Sequence, residues 1–268
     1  MPLRFPLPLA TRKSPLALAQ AHLVQRAIMA ALGAGEADVP IHGLVSTGDK
    51  LTDRKLIEAG GKGLFTKEID EALLNGDAAI AVHSMKDVPT QLPPGLVLAA
   101  ILEREDPRDI LLTATGSAQL SDLPHGARLG TASLRRQAQA LALRPDLRIV
   151  DMRGNVETRM RKLAENQADA TLLAMAGLRR LGLADHARSA MDLETWLPAA
   201  GQGAIAIAAR EDDARTRERL AVIDHPATST ALTAERAYLT VLDGSCRTPI
   251  GGLARLDGDR VRFNGIIV

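Results

Sequence analysis

Residues 127–181 read ARLGTASLRRQAQALALRPDLRIVDMRGNVETRMRKLAENQADATLLAMAGLRRL. Short apolar runs alternate here with longer stretches of helical periodicity. The pattern predicts strands at 127–130, 147–152 and 170–173, and helices at 134–143, 156–165 and 175–181. Strands alternating with helices imply parallel βαβ units and an α/β class. An earlier series has the same form. A strand ends at Thr11, Ser14 can cap a helix with Pro15 at its first position, and Leu16, Leu23, Ala27 and Ile28 lie close to one face. Strands are predicted at 39–45 and 78–82, with a helix at 64–74 between them. The strand at 78–82 leads into His83-Ser84-Met85-Lys86-Asp87. A further strand, 204–209, follows Gly201-Gln202-Gly203. Two such series predict two α/β lobes with a cleft between them, where ligands meet the carboxyl ends of strands. The tail reads as a helix at 230–242, a turn holding Cys246, and a hairpin of 250–256 with 260–267.

Composition narrows the function. The hydrophobic fraction of 46% and charged fraction of 24% are those of a globular protein. Only 2% of residues are aromatic, too few for platforms that stack single-stranded nucleic acid. The net charge of +1 gives no general attraction to nucleic acid or anionic lipid, so local clusters must bind any anion. A single cysteine, the lack of a secretory signal at the start and the absence of a long apolar run together suggest a cytoplasmic protein. One cysteine and no close histidine pair speak against a structural zinc site, and no metal is expected. Gly60-Gly61-Lys62-Gly63 lacks the spacing of a phosphate loop.

Polar residues recur where strands end. Arg12 and Ser14 follow one strand, and Lys86 and Asp87 another. Thr131, Ser133, Arg135 and Arg136 follow a third, and Arg153, Asn155 and Arg159 a fourth. If these ends converge, they make a polyanion site from guanidinium groups and helix N-termini. Taken singly, each arginine could equally be solvated or paired. Asp87 could be a turn residue before Pro89, or an ionised carboxylate that stabilises a developing cation and exchanges a proton. Cys246 could be a buried small hydrophobe, a nucleophile or a point of covalent attachment.

The motifs resemble one family in order from about Leu9 to the end. They are ATRKSPLALAQ from Ala10, GGKGLFTKE from Gly60, AVHSMKDVPT from Ala81, EREDPRD from Glu103 and LGTASLRRQ from Leu129. RGNVETR from Arg153, AGLRRLGL from Ala176, LPAAGQGA from Leu197, AERAYL from Ala234 and LDGSCRTPIGG from Leu242 complete them. The chain resembles the porphobilinogen deaminases. The resemblance implies two lobes like those of periplasmic binding proteins (1–103 with 204–222, and 108–198), with crossovers near 103–108 and 198–204, and a small α+β domain at 226–268 that is C-terminally short. It implies a dipyrromethane cofactor held by a thioether to Cys246. It also implies a monomeric cytoplasmic transferase that adds four porphobilinogen units, each losing ammonia, before water releases hydroxymethylbilane.

In that resemblance Asp87 is the carboxylate that stabilises an azafulvene-like cation and handles pyrrole protons. Lys86, Asp87, Thr131, Ser133, Arg135 and Arg136 fall on cofactor positions. Arg12, Ser14, Lys62, Arg153, Arg159, Arg180 and Gln202 fall on positions for substrate or the growing chain. The chain departs from the family pattern at Glu58, Ala132, Ser245, Ala206 and Ala208, none of which holds a central role. Two rival readings are an anion-binding protein of the same two-lobed type, with an unmodified Cys246, and a relative that carries the cofactor without turnover. Nucleic acid and membrane are not expected partners.

Overall fold

The computed structural model describes residues 6–47, 66–186, 189–242 and 248–268. They form two compact lobes, 1–104 with 204–233, and 105–203 with 234–268.

The first lobe is built on a five-stranded sheet. Its strands are β1 (Leu9–Arg12), β2 (Ile41–Leu44), β3 (Ile80–Ser84), β4 (Leu96–Ile101) and β10 (Ile205–Arg210), in the order β2-β1-β3-β10-β4. Side chains alternate across the sheet, so that each face packs its own helix. Leu9, Ile80, Val82, Ile205 and Ile207 meet Ala21, Val24 and Ile28 of α1 (Pro15–Leu32), joined on that face by Leu220 of a later helix. Ala10, Ala81, Leu96 and Ala208 meet Ile69 and Leu73 of α2 (Lys67–Leu74) on the other face. Helix α1 begins as expected: the Ser14 hydroxyl accepts from the Ala17 N–H, and Pro15 occupies the first turn. It ends at Gly33, whose φ of 62° suits a glycine terminator.

The second lobe repeats the plan. Strands β5 (Asp109–Thr113), β6 (Gly116–Ser117), β7 (Arg128–Gly130), β8 (Arg148–Val150) and β9 (Ala170–Ala174) lie in the order β6-β5-β9-β7-β8. Leu111, Leu129, Leu172 and Trp196 share one cluster with Ala140 of α3 (Leu134–Leu143). Ile110, Leu112 and Leu173 share another with α4 (Val156–Ala164) and α5 (Met175–Arg180).

The expected βαβ units are parallel, β1 pairing with β2 and β3, and β7 with β8 and β9, but each sheet as a whole is mixed. β10 runs antiparallel to both β3 and β4, and β5 runs antiparallel to β9. In each lobe the reversed strand arrives from a crossover segment, so local alternation could not reveal its direction. Three strands, β4, β5 and the two-residue β6, and the charged helix α6 (Ala214–Ala221) also lie outside the predicted elements.

Residues 226–268 are shared between the lobes. In helix α7 (Pro226–Val241), Leu232 packs with Met85, Ile101 and Ala206 of the first lobe. Farther along, the buried Glu235 accepts from the N–H groups of Gly201 and Ala254 in the second. Strands β11 (Ile250–Asp257) and β12 (Arg260–Ile267) form the expected hairpin, with Tyr238 against Phe263 at 4.9 Å between ring centroids. Among the described residues no helix is long and apolar enough to cross a membrane.

Candidate functional site

In the first lobe the site residues sit at the carboxyl ends of β1 and β3. Ser14 is used to cap α1, and Arg12 is half-buried at the end of its strand. After β3 the chain makes one 3-10 turn, Met85–Asp87. Met85 is buried, and its N–H donates to the Ala204 carbonyl at 3.0 Å. That anchor turns Lys86 outward and leaves Asp87 half-buried. Among the described residues, none hydrogen-bonds or ion-pairs with the Asp87 carboxylate.

Beneath this turn lies a buried pair. His83 Nε2 is 4.0 Å from an Asp70 carboxylate oxygen on α2. Burial, with help from the nearby Arg12 charge, pushes the His83 pKa down to about 4. Burial pushes Asp70 up to about 6. The two act oppositely on stability. Neutral His83 stabilises the fold above about pH 6.5, and that contribution is lost as pH falls towards 4. Asp70 gains as pH falls from about 6 towards 3.8. Their opposed slopes leave the pair nearly silent. His83→Gln should unmask Asp70: between pH 7 and 4.5 the variant should gain about 2 kcal/mol relative to wild type. Urea unfolding at both pH values measures this; a pH-independent difference would rule out the buried neutral histidine.

The second lobe holds a denser arrangement. The Asp109 carboxylate is fully buried and accepts five hydrogen bonds. Arg136 binds it through two nitrogens, at 3.2 and 2.7 Å, and Arg135 through one at 2.8 Å. The Trp196 indole N–H and the Gln202 amide each donate to it at 2.9 Å. Burial alone would raise the Asp109 pKa, but Arg136 and Arg135 hold it well below the usual carboxylate range. The remaining Arg135 Nη1 donates to Leu197 O at 2.6 Å, and Arg136 Nη1 to Leu172 O at 2.9 Å. Gln139 clips the Leu197 backbone from both sides.

Arg159 joins the cluster through the same Leu172 carbonyl, at 3.3 Å. Burial and the Arg136 charge push its pKa down to about 9. The Nε atoms of Arg135 and Arg159 are buried without a hydrogen-bond partner. Ser133 caps α3, accepting from the Arg136 N–H, and buried Thr131 accepts from the Ser133 N–H at 3.1 Å. Arg153 pairs with Asp151 at 3.0 Å. Arg180 donates to Gly203 O at 2.6 Å, and burial pushes its pKa down to about 10.

Thr131, Ser133, Arg135, Arg136, Arg159 and Gln202 therefore come together. Gln202, Arg135 and Arg136 are already bound to protein partners, a constraint that a motif does not carry. Cys246 and Lys62, together with Glu58 and Ser245, lie outside the described residues. Asp109 and Trp196 were not singled out by sequence; the one hint was the apolar run Ile110–Leu112 directly after an acid in the EREDPRD motif. The donor set suits a polycarboxylate. Two guanidinium groups share a single buried carboxylate, a third lies against the carbonyl that one of them uses, and two N–H groups of the three have no acceptor. Among the described residues no group of three or more His, Cys, Asp or Glu could hold a metal ion.

Comparison with known proteins gives this arrangement its class. Residues 7–218 match the family described as porphobilinogen deaminase, dipyromethane cofactor binding domain. Residues 229–268 match porphobilinogen deaminase, C-terminal domain. The class is thus a two-lobed α/β protein whose main region binds a dipyrromethane. The chain belongs to the porphobilinogen deaminase family. It is 54% identical over 260 residues to a porphobilinogen deaminase of Nitrobacter winogradskyi, covering 97% of this chain and 82% of the relative. It is 52% identical over 263 residues to that of Paracoccus denitrificans, covering 98% and 84%. Among solved structures, a putative methionine-binding lipoprotein from Bacillus subtilis aligns with a TM-score of 0.49 at 13% identity, over 82% of this chain and 90% of its own.

Proposed function

We propose that the protein is a transferase that condenses four porphobilinogen molecules head to tail, releasing ammonia at each addition and, after hydrolysis, the linear tetrapyrrole hydroxymethylbilane. When bound, the dipyrromethane supplies a nucleophilic pyrrole carbon as the starting point of the chain. In this reading Cys246 carries that group through a thioether. Lys86, Thr131, Ser133, Arg135 and Arg136 hold its acetate and propionate groups. Arg12, Ser14, Lys62, Arg153, Arg159, Arg180 and Gln202 hold those of the substrate and product. Asp87 accepts and returns pyrrole N–H protons, and its negative charge stabilises the cation left when ammonia departs. Porphobilinogen is the small-molecule partner, and the protein acts as a cytoplasmic monomer without nucleic acid or membrane.

The observation that carries this reading is the surplus of buried guanidinium over carboxylate around Asp109. Such a surplus is costly unless an anionic ligand completes it. Each pyrrole unit brings two carboxylates, which a fork of N–H donors binds strongly. The intact mass of freshly purified protein should exceed the sequence mass by one dipyrromethane unit, and Cys246→Ser should remove the excess. A bare wild-type mass would instead support an anion-binding protein with a free thiol.

A further inference from the structure

We propose that Asp109 is a positioning residue, fixing the Arg135 and Arg136 guanidinium groups in one orientation so that the carboxylates of the primer meet a preformed receptor. This inference rests on the functional reading above, in which those two arginines hold the cofactor. Asp109 itself is fully buried.

The geometry gives this carboxylate more than a neutralising role. Its two oxygens are used differently. Oδ1 accepts from Arg136 Nη2 and Gln202, while Oδ2 accepts from Arg135 Nη2, Arg136 Nε and Trp196. Two consecutive arginines on one helix are thereby drawn onto one acid, although their side chains leave the helix at different angles. Each guanidinium is held at a second point by a main-chain carbonyl, Leu197 O or Leu172 O. A planar group fixed at two points has little freedom to rotate. The Arg135 Nε left without a partner is consequently held in place as well. Preformed donors cost no reorganisation when the ligand arrives, and bidentate carboxylate recognition depends on that planarity.

Two neighbours complete the anchor. Gln202 ties Asp109 to the crossover segment, since its amide also reaches Pro107 O at 2.7 Å. Trp196 is the single tryptophan of the chain, and its indole N–H donates to Asp109. Intrinsic tryptophan fluorescence therefore reports on the anchor itself.

The test uses Asp109→Asn, which keeps the shape and one acceptor oxygen and removes the charge. Wild-type and variant apoproteins are incubated with porphobilinogen, and the gain of the dipyrromethane mass is followed in time. Far-UV circular dichroism and Trp196 emission are read on the same samples. The variant should keep native secondary structure, show altered Trp196 emission and load at least about tenfold more slowly. Native structure with wild-type loading would overturn the assignment. Should Asp109→Asn fail to fold, Trp196→Phe removes one hydrogen bond to the same carboxylate without a change in charge. That variant should load about threefold more slowly, and wild-type loading by it would overturn the assignment equally. If wild-type apoprotein gains no mass, the functional reading fails first, and the role of Asp109 falls with it.

Discussion

Asp87→Asn should lower turnover about a thousandfold, within the range expected when a positioned acid–base group is removed. The fold should survive, because the side chain is half-exposed and has no partner among the described residues. A change of that kind should alter stability by no more than about 0.5 kcal/mol. Asparagine keeps the size of the side chain. It has neither the negative charge that stabilises a developing cation nor a site for a proton at neutral pH. Ammonia release is measured on protein whose mass shows the bound primer, so that lost chemistry is separated from lost cofactor. Activity within a few-fold of wild type would remove Asp87 from the proposed role.

Gly203→Ala should produce the largest loss of stability, about 3 kcal/mol or more, from backbone strain together with overpacking. Gly203 has a φ of 92°, a region that side chains rarely tolerate. A Cβ added there would overlap the main-chain oxygen of Glu105. Neither segment can easily retreat. Glu105 N–H donates to Gly203 O at 3.2 Å, and Arg180 donates to the same oxygen at 2.6 Å. The urea midpoint of unfolding measures the effect; a loss below about 1 kcal/mol would mean that the backbone relaxes there at little cost.

The sequence was most legible where structure is local. The start of α1 follows from Ser14 and Pro15, and the α3 start from Ser133, because caps act within one turn. The hairpin around Asp257-Gly258 was equally readable. What escaped depends on partners far along the chain. β4 pairs with β10, more than a hundred residues away, and nothing in Leu96–Ile101 announces a reversed neighbour. Helix α6 carries few apolar residues, with Leu220 buried at its far end, so its periodicity is faint. At the site, motif residues could be named individually. Asp109 could not, because an acid in a charged run reads as solvated until the fold encloses it. The same enclosure gives Arg135, Arg136 and Gln202 protein partners that no spacing rule supplies.

The order β2-β1-β3-β10-β4 bears on how the chain is made. A ribosome completes the first four strands of this sheet long before the fifth, which begins at Ile205. At about 5–20 residues per second, roughly 5–20 s separate the emergence of β4 from that of β10. Throughout that interval β3 and β4 lack the strand that lies between them, and their unpaired edges can be captured by other nascent chains. Most of the second lobe, being continuous over 105–203, can form during the wait. Slowing translation beyond residue 203 should therefore increase aggregation in the cell without altering the finished protein.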